Sequence, residues 1–96
     1  MIIILLCTIV VIILGFVFNI SGFEWLFIIT ICGLIAAVEF INSAIEATID
    51  LITTDVHPLA KIAKDCGSAA TFMATLVAVI VHLYIYIPFI WPLIFK

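Results

Sequence analysis

Residues 1 to about 20 carry no charged side chain, and that apolar run limits what the chain can fold into. About twenty apolar residues wound as a helix cross the ~30 Å hydrocarbon layer of a membrane. Two further hydrophobic runs follow, at about 24–52 and 59–87. A signal peptide is the rival reading of the first run. No basic segment precedes it, however, and no small-residue cleavage motif ends it, so a retained span is expected. The expected fold is an all-α membrane protein, a single domain over 1–96 with three transmembrane helices at about 1–20, 24–52 and 59–87.

Composition excludes the soluble alternative. Hydrophobic residues make up 69% of the chain and charged residues 9%, with a mean hydropathy of +1.60. Soluble domains run at roughly 45–50% apolar and about 25% charged. A water-soluble fold of 96 residues would lack the polar surface to cover such a core. Nucleic acid is excluded as a partner, because three lysines and no arginine cannot neutralise a run of phosphates. Cys7, Cys32 and Cys66 lie scattered in apolar sequence without metal-ligand spacing, and are expected to be small buried hydrophobes.

Punctuation is sparse. Asn19, Ile20, Ser21 and Gly22 form the turn-like break before the second run, and Trp25 behind it fits a membrane interface. Residues 53–58 form a second break, in which Pro58 suits the first turn of a new helix. Pro88 and Pro92 are expected to stop the third helix near Ile87. Lys61 and Lys64 flank the second break while the first has no lysine. The positive-inside rule therefore places the second loop in the cytoplasm, with Met1 inside and Lys96 outside.

The second run carries an unusual stripe. At 100° per residue, Glu39, Asn42, Ser43, Glu46 and Asp50 fall within roughly 100° of one helix face. A charged residue at the bilayer centre costs roughly 2.5–3.5 kcal/mol even on insertion scales, so the three carboxylates need compensation. The third run offers it: Lys61, Lys64, Asp65 and Ser68 share one face, and the short connection makes the two helices antiparallel neighbours. Carboxylates, lysines and the Asp55-Val56-His57 loop suit a magnesium-bound polyphosphate. Other polar residues have plainer readings. Glu24 reads as a solvated interfacial charge and His82 as a satisfied packing histidine. Tyr84, Tyr86 and Trp91 read as an aromatic belt. Gly33, Ala36, Ala37, Gly67, Ala69 and Ala70 read as small residues for close helix packing.

The segment running from Glu39 through Asn42, Ser43 and Glu46 to Asp50 resembles the Glu-x-x-Asn-[Ser/Thr]-Ala-x-Glu…Asp signature of the prokaryotic diacylglycerol kinase family. His57-Pro58-Leu59-Ala60-Lys61-Ile62-Ala63-Lys64-Asp65 resembles its second segment, and the likeness extends over about 25–87. The resemblance implies a three-span homotrimeric helical bundle in the bacterial cytoplasmic membrane. Such a protein transfers the γ-phosphoryl group of MgATP to a lipid hydroxyl at a site facing the cytoplasm. It implies Glu39 as general base at the lipid substrate and Glu46 as the Mg²⁺ ligand within the nucleotide site. Asn42 and Asp50 would support catalysis; Asp55, His57, Lys64 and Asp65 would contact the nucleotide, and Ser68 would face the lipid. The family divides between diacylglycerol and undecaprenol as acceptor, and the run through Asp50 and His57 looks more like the undecaprenol branch. Members also carry a basic amphipathic helix before the first span. Here Met1 runs straight into Ile2-Ile3-Ile4-Leu5-Leu6, so the chain is expected to start late relative to the family. The alternative is a non-catalytic oligomeric pore or accessory subunit whose carboxylates line an acidic cavity.

Overall fold

The structure, a computed structural model, describes residues 2–95. It has three helices: α1 (Ile2–Val17), α2 (Gly22–Ile52) and α3 (Pro58–Ile94). The expected positions of Met1 and Lys96 on opposite membrane faces lie outside the described residues. The 31 residues of α2 and the 37 of α3 make rods of about 46 and 55 Å, each long and apolar enough to cross a membrane. The 16 residues of α1 span only about 24 Å, so this apolar helix reaches roughly half-way along α2.

The turn between α1 and α2 is built from local chemistry. Asn19 takes a left-handed conformation at φ 50°, which a short polar side chain tolerates better than most. It closes a Schellman motif: Asn19 N–H donates to the Phe16 carbonyl at 3.3 Å, and Ile20 N–H to Gly15 at 3.2 Å. Ser21 then caps α2. Its Oγ accepts from Glu24 N–H at 3.3 Å while Glu24 Oε1 accepts from Ser21 N–H at 3.1 Å, a reciprocal capping box. Glu24 is thus a half-buried capping group, more than a solvated charge.

Above this turn lies the apolar core. Ile20, Ile28, Ile85 and Tyr86 are buried, with Val11, Leu14, Phe18, Trp25 and Phe89 packed against them. The Tyr86 hydroxyl donates to the Val11 carbonyl at 2.7 Å, tying α3 to α1. Tyr86 therefore leaves the expected aromatic belt, being 4% exposed against 84% for Tyr84. Trp25 is half-buried on Gly15, where an added Cβ would stand 2.6 Å from the indole.

Four other expectations give way. Helix α3 continues through Pro88 and Pro92 to Ile94. Each proline forfeits one backbone bond, but Phe89 stacks on Phe18 with ring centroids 5.4 Å apart, and packing of this kind carries proline within membrane helices. No cysteine is fully buried: Cys7 and Cys66 are exposed and Cys32 is intermediate, because a thin bundle has little inner surface. His82 is half-buried, yet its enclosed Nε2 has no hydrogen-bond partner among the described residues. Gly33 faces open space instead of a neighbouring helix.

Most large apolar side chains point outward, including Phe16, Leu26, Ile29, Phe40 and Phe72. A surface of this kind needs lipid or other protein to cover it. Gly15→Val is predicted to lower stability in detergent by about 1–3 kcal/mol through overpacking. A lowered thermal midpoint and a shifted Trp25 emission in a Trp91→Phe background would check it.

Candidate functional site

The polar end of the α2–α3 hairpin is held by the loop of residues 53–57. Thr53 ends α2, its N–H donating to Ile49 at 2.9 Å, and its Oγ1 accepts from Asp55 N–H at 3.0 Å. His57 adopts extended backbone and caps α3, its Nδ1 accepting from Leu59 N–H at 3.1 Å. Pro58 follows in the first turn, where its missing N–H costs nothing. Capping occupies one imidazole nitrogen of His57 and leaves Nε2 for other partners.

Between the helices lies a cavity of about 330 Å³. Asp50 enters from α2, Asp55 and His57 from the loop, and Lys61, Lys64 and Asp65 from α3. Lys64 Nζ donates to Asp50 Oδ1 at 2.8 Å, an ion pair that crosses from α3 to α2. The Glu46 charge also acts on this ammonium, at longer range than Asp50. Lys61 Nζ donates to Asp65 Oδ2 at 3.1 Å, one turn along α3. Both pairs are largely exposed, so they organise the cavity more than they stabilise the fold.

Five of the nine residues given site roles by the family resemblance therefore meet in one cavity: Asp50, Asp55, His57, Lys64 and Asp65. Glu39, Asn42, Glu46 and Ser68 lie outside its lining. Glu46 is exposed and forms no ion pair or hydrogen bond among the described residues. Glu39 is half-buried and sits about 16 Å along α2 from Asp50. Ser68 is exposed on α3. Asn42 is half-buried, and its Oδ1 rests on Gly67 of α3. Lys61, expected on the polar face of α3 but given no role of its own, lines the cavity as well. Gly67, expected as a small packing residue, does pack closely, but its partner Asn42 is one that no one-dimensional spacing names.

Among the described residues no three His, Cys, Asp or Glu side chains converge as a metal centre. The donor set nonetheless fits magnesium, which typically binds through one or two carboxylates and completes its shell with phosphate oxygens and water. Glu46, exposed and unpaired one turn from Asp50, is such a carboxylate.

Fold and site together define an all-helical protein with two membrane-length helices and a charged cavity at one end of their hairpin. Residues 1–86 match the prokaryotic diacylglycerol kinase family, and the chain belongs to it. It is 41% identical over 78 residues to an undecaprenol kinase of Bacillus subtilis, covering 81% of this chain and 63% of that protein. It is 46% identical over 69 residues to a diacylglycerol kinase of Pseudomonas aeruginosa, covering 72% of this chain and 56% of the relative. A diacylglycerol kinase of Escherichia coli is 53% identical over 47 residues, which is 49% of this chain and 38% of the relative. The chain thus spans less than two thirds of the length of the curated relatives it matches. No solved structure matches significantly.

Removing the cap is predicted to loosen the site from its loop side. His57→Ala should cost about 1 kcal/mol of stability and His57→Asn should restore most of it. Thermal midpoints of the two variants in one detergent would check this.

Proposed function

We propose that this protein is a membrane lipid kinase that transfers the γ-phosphoryl group of MgATP to the hydroxyl of a lipid alcohol, undecaprenol in preference to diacylglycerol. The observation that carries the proposal is the Asp50–Lys64 pair across the α2–α3 cavity, with Asp55, His57 and Asp65 around it. The family and the names of both kinds of relative support the same reaction. The longer match to the undecaprenol kinase supports the acceptor.

Phosphoryl transfer asks for positioning and charge neutralisation more than for covalent help. Lys64 exchanges its bond to Asp50 for a phosphate oxygen, acting as a point charge. Asp55, Asp65 and the free Nε2 of His57 hold the rest of the nucleotide. Magnesium, when bound at Glu46, neutralises phosphate charge. Glu39, further toward the hydrocarbon, takes the proton of the lipid hydroxyl on its carboxylate oxygen, and Asn42 and Asp50 hold these groups in place. Ser68, exposed on α3, faces the acceptor lipid.

The about 16 Å between Glu39 and Asp50 along α2 supports a site completed by a neighbouring copy. So does the exposed apolar surface of all three helices. In this reading three copies form the bundle, and α1 is the third span of each. The loop of residues 53–57 with Lys61 and Lys64 faces the cytoplasm, in the bacterial cytoplasmic membrane.

The test is transfer from radiolabelled MgATP in mixed micelles offering undecaprenol and diacylglycerol together. It is run on the chain alone and with a basic amphipathic helix fused before Met1. Labelled undecaprenyl phosphate is expected, and Glu39→Gln and Glu46→Gln should each lower the rate by roughly 10²-fold or more. Labelled phosphatidic acid in its place would reassign the acceptor. No labelled lipid in either form, or full rates in both variants, would overturn the kinase reading.

A further inference from the structure

Gly67 is among the few buried residues of α3, and its neighbour is a polar side chain. The Asn42 carboxamide of α2 lies against the Gly67 backbone so closely that a Cβ at that position would overlap Oδ1. This oxygen is enclosed and has no hydrogen-bond partner among the described residues. An enclosed, unpaired amide oxygen is costly, so its position is held by the surrounding packing. Cα–H···O contacts recur at helix–helix interfaces, and only glycine lets an oxygen reach the backbone from this direction.

Placement gives the contact its consequence. Asn42 lies three residues after Glu39 and four before Glu46, on the same face of α2. Gly67 follows Lys64 by three residues and Asp65 by two, and precedes Ser68. The contact thus falls between the two polar stripes. It sets both the separation of α2 from α3 and the axial register of the carboxylates against the lysine.

We propose that Gly67 is a positioning residue: by admitting the Asn42 carboxamide it fixes the register of the Glu39–Glu46 stripe against Lys64 and Asp65. The inference rests on the lipid-kinase reading for its catalytic consequence, while the contact itself is testable without activity. In an exposed helix, Gly→Ala stabilises. At residue 67 the added methyl displaces Asn42 and moves the helices apart. A displacement near 1 Å at a reacting group costs about 10²-fold in rate.

Four proteins are compared in the same micelles: wild type, Gly67→Ala, Asn42→Ala and the double variant. Ala69→Gly, exposed and about 200° around α3 from Gly67, is the control for helix propensity. The thermal midpoint of Gly67→Ala is expected to fall by several degrees, and Asn42→Ala in the same chain to recover most of that loss. A midpoint that rises in Gly67→Ala, or a loss that persists in the double variant, overturns the contact. Per folded protein, kcat of Gly67→Ala should fall by roughly 10–100-fold with KM for MgATP within about twofold. The added methyl should cost nothing further once Asn42 is alanine. An unchanged kcat with a lowered midpoint would make Gly67 structural only and overturn the positioning role. Absence of kinase activity in the wild type would fail the functional reading alone, leaving the midpoint cycle to decide the contact.

Discussion

Hydrocarbon offers no partner to a backbone amide, and this constraint governs the molecule. Every apolar run must coil into a helix that satisfies its own N–H and C=O groups, and every break between runs must be closed by local bonds. The turn at Asn19 does so with a Schellman motif and a capping box. The loop of residues 53–57 does so through Thr53 and the His57 cap. What remains is a set of rods whose polar side chains are the unusual feature.

Those rods are joined differently at their two ends. At the α1–α2 turn the joint is apolar, with Ile20, Ile28, Ile85 and Tyr86 enclosed and Gly15 making room for Trp25. At the other end it is polar: the Asp50–Lys64 pair, the Lys61–Asp65 pair and the Asn42 contact on Gly67. Because α1 reaches only half-way along α2, it does not wedge between the helices at the polar end. The charged cavity therefore lies clear of α1, and Glu39 stands about 16 Å further along α2 toward its middle. A lipid hydroxyl and a nucleotide come from opposite media, and the proposed kinase chemistry needs groups at both depths.

Much of this was legible in one dimension. The helical period put Glu39, Asn42, Glu46 and Asp50 on one face, and five of the nine site residues named from the sequence do meet in the cavity. Pro58 marked the start of α3. Pro88 and Pro92 did not end α3, which continues to Ile94 with Phe89 stacked on Phe18 between them, a tertiary contact that local penalties do not include. Tyr86 misled for a similar reason, since its amphipathic ring suits an interface equally well as a buried bond to the Val11 carbonyl. Glu39, Asn42, Glu46 and Ser68 stand apart from the cavity, whose lining begins at Ile49 on α2 and ends at Asp65 on α3, a boundary set by how the two helices pack.

The sequence by itself determined the element types and the polar stripes. Periodicity and hydropathy are properties of the chain alone, and the signature from Glu39 to Asp50 is carried by residue identity. Only the tertiary structure decided how α2 sits against α3: which lysine meets which aspartate, and that Asn42 lodges on Gly67. Distances between residues on different helices depend on rotation and register, and these are set by side-chain contacts that sequence spacing does not encode.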